Sequence, residues 1–428
     1  MSKLDDLIKK LCPNGVEYKK LYEVTIWDKK FKGVEREKQP KTINYSYLLA
    51  NDLFSIKNDN GNVYLLSTGK VDGWTTEELA GINLCEGEIV SIPWGGTPIV
   101  KYYKGKFVTS DNRIATSNNI NVLNNKYLYY YLKNKQTTLN SFYRGSSIKH
   151  PDMYKVLHLQ IPIPPLEVQE EIVRILDTFT ELNKELNKEL ECRKKQYVYY
   201  RDLLLSDDVL LKLTNKYSNS SILEYKKLGD VCETITDYTA AGSFANIKKN
   251  VKYIKNNIGY AQLIRTTDLK SKFENKNDFV FINENAFNYL WRVNLNSEGL
   301  ILPNVGNCGE IYYITPNMLI HKNNVLGPNA IWLKSNTVNN KYLYYIFLAK
   351  DFQKKLNKIT TKVGQTKFNK TNLKEIQIPI PPLEVQEKIV EILDNFTELT
   401  ESITDGLPAE IDNRNKQYTY YRDKLLSF

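Results

Sequence analysis

A chain of 428 residues is longer than one ordinary core organises and implies two to four domains, each able to bury its own apolar interior. With 42% hydrophobic and 25% charged residues, and no run near the roughly 18 apolar residues of a membrane span, the composition is globular and excludes a helical membrane protein. Fifty-nine Lys and Arg against 49 Asp and Glu leave a net charge of +10. That favours a polyanionic partner, nucleic acid first, although a basic surface or the Asn, Lys, Ile and Tyr bias of an AT-rich genome gives the same totals.

Met1 to Lys10 carries charges where a signal peptide needs an apolar block, so the cytoplasm is the expected location. Cys12, Cys85, Cys192, Cys232 and Cys308 are odd in number and lack any CxxC pair. They argue against a disulfide framework or zinc site and are expected as buried small residues.

Residues 12–155 form a first block of short β-type runs broken by Gly, Asn and Pro, such as Glu88 to Pro93 followed by a glycine turn. An aromatic helix, Tyr127 to Leu132, is expected to pack into the core. Candidates for reading bases are Lys70, Asn112 and Arg113, because Lys, Arg and Asn match purine edges. Trp74 and Trp94 are candidates for wedging or stacking. Near the end of the block, Arg144, Gly145, Ser146, Ser147 and Lys149 combine freed backbone N–H groups, hydroxyls and cations, the parts used for positioning on phosphates.

A tail follows. Ile161 to Pro165 must run extended, because proline fixes φ and pushes the preceding residue out of the helical region. A helix then begins at Pro165 or Leu166, with Glu167, Glu170 and Glu171 complementing its dipole. Ile172, Leu176, Phe179, Leu182, Leu186 and Leu190, then Tyr197, Tyr200 and Leu204, keep one apolar stripe over about 60 Å.

The second block, residues 222–373, repeats the plan. Gly299 to Pro303 reads as a strand and Tyr342 to Leu348 as an aromatic helix. Gln262, Arg265, Trp291 and Arg292 are its base-reading or stacking candidates, and Lys362, Gln365, Thr366 and Lys367 surround Gly364 in a second phosphate-type loop. The second tail carries the same stripe from Ile389 to Leu425, interrupted at Asp405 to Pro408, where Gly and Pro should break or kink the helix before it resumes near Ala409.

The two tails are copies. Gln160 to Leu182 matches Gln377 to Leu399 at 20 of 23 positions, KQYVYYRDLLLS at Lys195 returns as KQYTYYRDKLLS at Lys416, and EYKKL opens both blocks at Glu17 and Glu224. Two copies exclude a solenoid and point to a pseudo-twofold molecule. The expected fold is α+β: two pseudo-twofold-related globular α+β domains joined by two long antiparallel coiled-coil-like helices. The division is 1–157 and 207–374 for the domains, and 158–206 and 375–428 for the tails. The three differences, Glu171/Lys388, Arg174/Glu391 and Thr178/Asn395, share one helix face, read as a solvent stripe. The unchanged faces, with Gln169, Asp177, Gln386 and Asp394, suit a docking surface for a partner protein, though recent recombination between copies also homogenises sequence.

No GxxxxGK[ST] loop, GxGxxG motif or Asn-Pro-Pro-aromatic tetrad occurs, and His150, His158 and His321 fit no HExxH or triad spacing. Intrinsic catalysis and a metal site are not expected.

The QIPIPPLEVQE opening, the KQYxYYRDxLL exit and the GLPAEI insertion resemble the specificity subunits of type I restriction-modification systems, across the whole chain. The resemblance implies that each variable block reads one part of a split, asymmetric site on double-stranded DNA. The helices set the gap and dock two methyltransferase subunits, while a motor-nuclease subunit cuts. Gln169, Gln386 and the segments with Tyr197, Tyr200, Tyr418 and Tyr421 then belong to the spacer and docking region. S-adenosylmethionine, ATP and Mg²⁺ belong to partner subunits, with no cofactor on this chain and no membrane. Half-sites about one DNA turn apart, roughly 34 Å, suit two modules on stiff helices. Rivals are a type II system with a fused methyltransferase-nuclease, a free-standing DNA-binding regulator or bivalent RNA-binding protein, and an enzyme with an unrecognised carboxylate site.

Overall fold

A computed structural model describes residues 3–218, 222–255, 258–361 and 364–428. The chain divides into two compact α+β units, Met1–Asn187 with Glu410–Phe428, and Lys188–Ala409. This partition cuts through both tails instead of setting them apart from the domains, for a reason visible in the packing of each unit.

In the first unit the strands lie in the order Thr25–Trp27, Asn112–Ser117, Cys85–Pro93, Lys101–Thr109, Val63–Leu66, Gly73–Thr75. The pairing of Val63–Leu66 with Lys101–Thr109 is parallel and the others are antiparallel. The second unit follows the same plan with Thr234–Asp237, Ala330–Lys334, Gly299–Pro303 and Tyr312–Ile314 in one sheet, and Asn324–Leu326, Ala261–Ile264, Val280–Ile282 and Ile254–Lys255 in another. Where the first unit has one strand, Lys101–Thr109, the second has two, separated by residues 315–323. That interruption divides a single sheet into two.

The recurring EYKK and QIPI segments are partners. Glu17–Lys20 pairs antiparallel with Gln160–Ile163, and Glu224–Lys227 with Gln377–Ile380. Proline is tolerated in these ribbons because each is only two strands wide. The polyproline step delivers the chain into the helix Leu166–Leu204 or Leu383–Glu401. On the first turn of each stands a buried glutamine. Gln169 Oε1 accepts from Asn124 N (2.9 Å), and its Nε2 donates to Val122 O (2.8 Å) and Pro164 O (2.7 Å). Gln386 Oε1 accepts from Asn339 N (2.9 Å) and its Nε2 donates to Pro381 O (2.7 Å). Asn124 and Asn339 are the N-caps of the aromatic helices Asn125–Asn134 and Asn340–Leu348. Each glutamine thus ties the tail to the start of the helix it packs on.

The apolar stripe of each tail is shared between units. Val168, Ile172 and Leu176 join the first core together with Leu426 from the other end of the chain. In the second core Val385, Ile389 and Leu393 meet Tyr197 and Leu205. Within the first unit Phe179 stacks on Tyr421 (5.6 Å, 26°) and Asn183 bonds Asn415 (3.1 Å), so residues 166–187 and 410–425 run antiparallel. Within the second unit Tyr200 stacks on Phe396 at the same distance and angle. The second tail breaks after Glu401 and resumes at Leu407. Gly406 is required there, because a Cβ would lie 2.4 Å from Glu398 O.

Two expectations change in part. The solvent stripe holds at Arg174, Thr178, Lys388, Glu391 and Asn395, which are exposed, but not at Glu171, whose side chain is 4% exposed and bridges Arg174 (2.7 Å) and Lys3 (2.9 Å). The Arg174 guanidinium first, then the Lys3 ammonium, hold its carboxyl down to about 2. Lys3 opens a helix, Lys3–Leu11, whose DDLIKKL matches DDVLLKL of the helix Asp207–Ser218, a repeat the sequence reading passed over. Of the cysteines, Cys232 is buried but Cys192 is exposed.

Replacing Gln386 with Leu leaves the buried N–H of Asn339 and the Pro381 carbonyl without partners. We expect a loss of about 2–4 kcal/mol in urea unfolding of the second unit, with the first unit's transition unmoved.

Candidate nucleic-acid interface

Both phosphate-type loops rest against the end of a central strand. After Pro93 the chain turns through Gly96, whose N–H donates to Lys149 O (2.9 Å), and after Pro303 through Gly306, whose N–H donates to Thr366 O (2.8 Å). The first loop is closed by Tyr143–Arg144 pairing with His150–Pro151 and anchored by Tyr143 OH on Pro93 O (2.6 Å). Arg144, Ser146, Ser147 and Lys149 are all exposed on it. Gly145 adopts φ 144° and lies where a Cβ would meet Ile148 O at 2.4 Å. In the second loop Gln365 and Lys367 are exposed and Thr366 half-buried, over a Thr361–Lys367 bridge. Lys362 lies outside the described residues. A fixed backbone presenting hydroxyls and cations can hold phosphate without reading sequence.

The base-reading candidates divide. Asn112 and Arg113 are corrected: both are buried. Asn112 Nδ2 donates to Leu66 O (3.0 Å), closing the gap between non-adjacent strands. Arg113 reaches Asp111 (2.9 Å) and Asp28 (3.5 Å) and lies over the Trp94 ring at 4.2 Å, which in turn meets His150 at 5.1 Å. Trp94 is therefore a prop beneath the first loop. Burial lifts Asp28 above the ordinary carboxylate range, against the pull of the Ile114 N–H and Arg113. Arg265 is half-buried, with its guanidinium held on Asp268 (2.6 and 3.1 Å) and Asp278 O (2.7 Å). Gln262 is fully buried in the strand Ala261–Ile264, so it is no exposed platform for a base edge.

Lys70 and Trp74 are exposed and share one hairpin, with Trp74 edge-on to Tyr64 at 5.5 Å. Trp291 is exposed, with the Arg292 guanidinium 4.8 Å from its ring and donating to Ala240 O. Sequence reading missed Tyr64 and Tyr103, which stack at 4.3 Å beside Trp74. Their signal was alternation, since Tyr64 and Trp74 sit directly opposite in register.

The docking candidates are corrected in part. Gln169 and Gln386 are interior. Asp177 receives Lys126 (2.8 Å) and Tyr130 (2.6 Å), and Asp394 receives Lys341 (2.6 Å) and Tyr345 (2.5 Å), so their identity between copies follows from an internal contact. Tyr197 is buried and Tyr418 half-buried, while Tyr200 and Tyr421 stack on the phenylalanines with part of each ring exposed. The fully outward pair is Tyr199 and Tyr420, 63% and 61% exposed. Among the described residues no group of three or more His, Cys, Asp or Glu is placed to hold a metal, and no helix is long and apolar enough to cross a membrane.

A family model described as the type I restriction modification DNA specificity domain matches residues 41–192 and 222–413. The chain is 32% identical over 346 residues to the Escherichia coli EcoR124I/EcoR124II type I restriction enzyme specificity subunit, covering 76% of each. Its fold is similar to that of the S subunit from M. genitalium, at TM-score 0.50 and 16% identity over 96% of both chains. It is similar again, at TM-score 0.51 and 14% identity over 97% and 98% of the chains, to a chain from a structure of complex assembly in the type I R-M system.

Arg113→Ala should lower stability by about 3–5 kcal/mol, because Asp28 loses its buried partner. Lys70→Ala, on an exposed turn, should leave the melting temperature within a degree. Thermal unfolding of the two variants checks the contrast.

Proposed function

We propose, for a chain that belongs to the type I restriction-modification DNA specificity family, that its two units read two unlike half-sites of one bipartite DNA sequence. The observation that supports this best is a shared frame with different faces. The tail glutamine, the ribbon and the aromatic helix recur in both units, yet the sheet carries Tyr64, Trp74 and Phe107 in one register row and Gln262, Phe281 and Asn324 in the other. A common frame holds each reader alike on the duplex, and different side chains select different bases.

In this reading the Arg144–Lys149 and Gly364–Lys367 loops hold phosphates, and the tails set the distance between half-sites. The chain performs no chemistry itself. Two methyltransferase subunits dock on the tails, with Tyr199 and Tyr420 as equivalent anchors, and a motor-nuclease subunit completes the restriction complex. S-adenosylmethionine sits on the methyltransferase and ATP and Mg²⁺ on the motor, because methyl transfer needs an extruded base and a cofactor pocket.

Co-expression with a cognate methyltransferase should yield adenine methylation at a split motif, read by methylome sequencing. Exchanging residues 12–155 should alter one half of that motif only; alteration of both halves, or of neither, rejects the reading. Arg144→Ala and Lys149→Ala should weaken binding equally on all sequences and each reduce the log–log salt slope by about 1, with the motif unchanged.

A further inference from the structure

In the second unit the face of the sheet away from the core holds a cavity of about 800 Å³. Leu263 points into the core, so its neighbour Gln262 projects to the opposite face, in the same cross-strand row as Phe281 and Asn324. Gln262 lines the cavity with Phe279, Phe281 and His321. Its side chain is fully buried, yet neither its amide oxygen nor its amide nitrogen has a hydrogen-bond partner, and the Asn324 Oδ1 beside it has none either. An amide left so costs stability that an apolar residue of the same shape would recover. At the rim Ile258 and Ile320 are 83% and 53% exposed, and Lys276 supplies a cation. His321 and Ile320 belong to the segment 315–323 that interrupts the strand.

We infer that this cavity receives one nucleobase lifted out of the stack of the second half-site, held by the Gln262 amide. An amide offers an adjacent donor and acceptor, the complement of a base's hydrogen-bonding edge, adenine above all. A stacked base edge cannot reach a side chain buried at the floor of a recess. An extruded base can once the side chains that close over the amide shift, and Phe281 and His321, packed edge-to-face at 5.5 Å, form one aromatic wall beside it. The volume falls within the roughly 300–1,000 Å³ of small-molecule sites. Ile258 and Ile320 are placed to fill the gap the base leaves, as apolar wedges do at opened steps, while Lys276 faces the flanking phosphate. In the first unit the same position is Tyr64, stacked on Tyr103 with its hydroxyl satisfied by Asp72 (2.6 Å). Base capture is therefore confined to one half-site.

The inference rests on the reading of the second unit as a DNA reader. The test uses the full chain with its methyltransferase partner and duplexes carrying the mapped motif. A mismatch is introduced at each position in turn, since unpairing beforehand removes part of the cost of extrusion. One position in the half-site read by residues 222–373 should bind about tenfold tighter when mismatched, and 2-aminopurine there should change fluorescence on binding. Gln262→Leu should abolish both effects at that position and leave the first half-site unaffected. Ile320→Ser, at the exposed rim, should weaken them without touching the fold. If no position tightens and Gln262→Leu binds as the parent does, the amide holds only water and the inference is overturned. If exchange of residues 222–373 fails to change a half-site at all, the reading beneath it has failed instead.

Discussion

The contact on which both units depend is a phenylalanine stacked on a tyrosine from the other tail: Phe179 on Tyr421, and Phe396 on Tyr200, each at 5.6 Å and 26°. An offset aromatic pair of this kind contributes about 0.5–1.5 kcal/mol beyond the area it buries. Its larger consequence is topological. The leading half of each tail belongs to the core that precedes it in sequence, while the trailing half belongs to the other core. The first unit therefore closes only when Glu410–Phe428 returns to it, whereas the second is the continuous stretch Lys188–Ala409.

This sharing accounts for the contrast between nearly identical tails and unlike blocks. Gln169 and Gln386, Asp177 and Asp394, Tyr130 and Tyr345 share equivalent bonds at nearly the same lengths, Gln169 adding one to Val122 O. Each pair is constrained by the packing of one helix on the next, and identity between copies needs no outside partner to explain it. What such packing does not explain is Tyr199 and Tyr420. They are unchanged and outward, and among the described residues their ring contacts are edge-on to the neighbouring Tyr200 or Tyr421 at 5.3 Å.

Much of the architecture was legible in the sequence, because repetition and periodicity report local structure. The helix from Leu166, the break at Gly406 and the aromatic helices follow from proline geometry and steps of three and four. The ribbon partner of QIPI was present as a faint echo and went unused. The site was less legible, because burial of a polar side chain depends on partners far along the chain. Arg113 looks like a reader until Asp28, from an early strand end, closes on it, and Asn112 until Leu66 offers its carbonyl. Glu171 looked exposed because its cover, the helix Lys3–Leu11, comes from the other end of the unit's sequence.

The same distinction bears on how a reader changes what it reads. The tail glutamines bond to main-chain atoms, so altering one leaves a buried group unpaired. Residues on the outer sheet face bond mainly to each other, and one row can hold a ring stack or an open recess without disturbing the strands beneath. The segment 315–323 shows how far this freedom extends: it divides a strand and breaks the sheet in two, yet Tyr313 keeps the bond to Glu298 that Tyr102 makes to Glu88, both at 2.8 Å. The frame survives because its hydrogen bonds converge on the aromatic helix and the tail. Variation is left to the outer face, where a bond such as that of Tyr64 to Asp72 stays local.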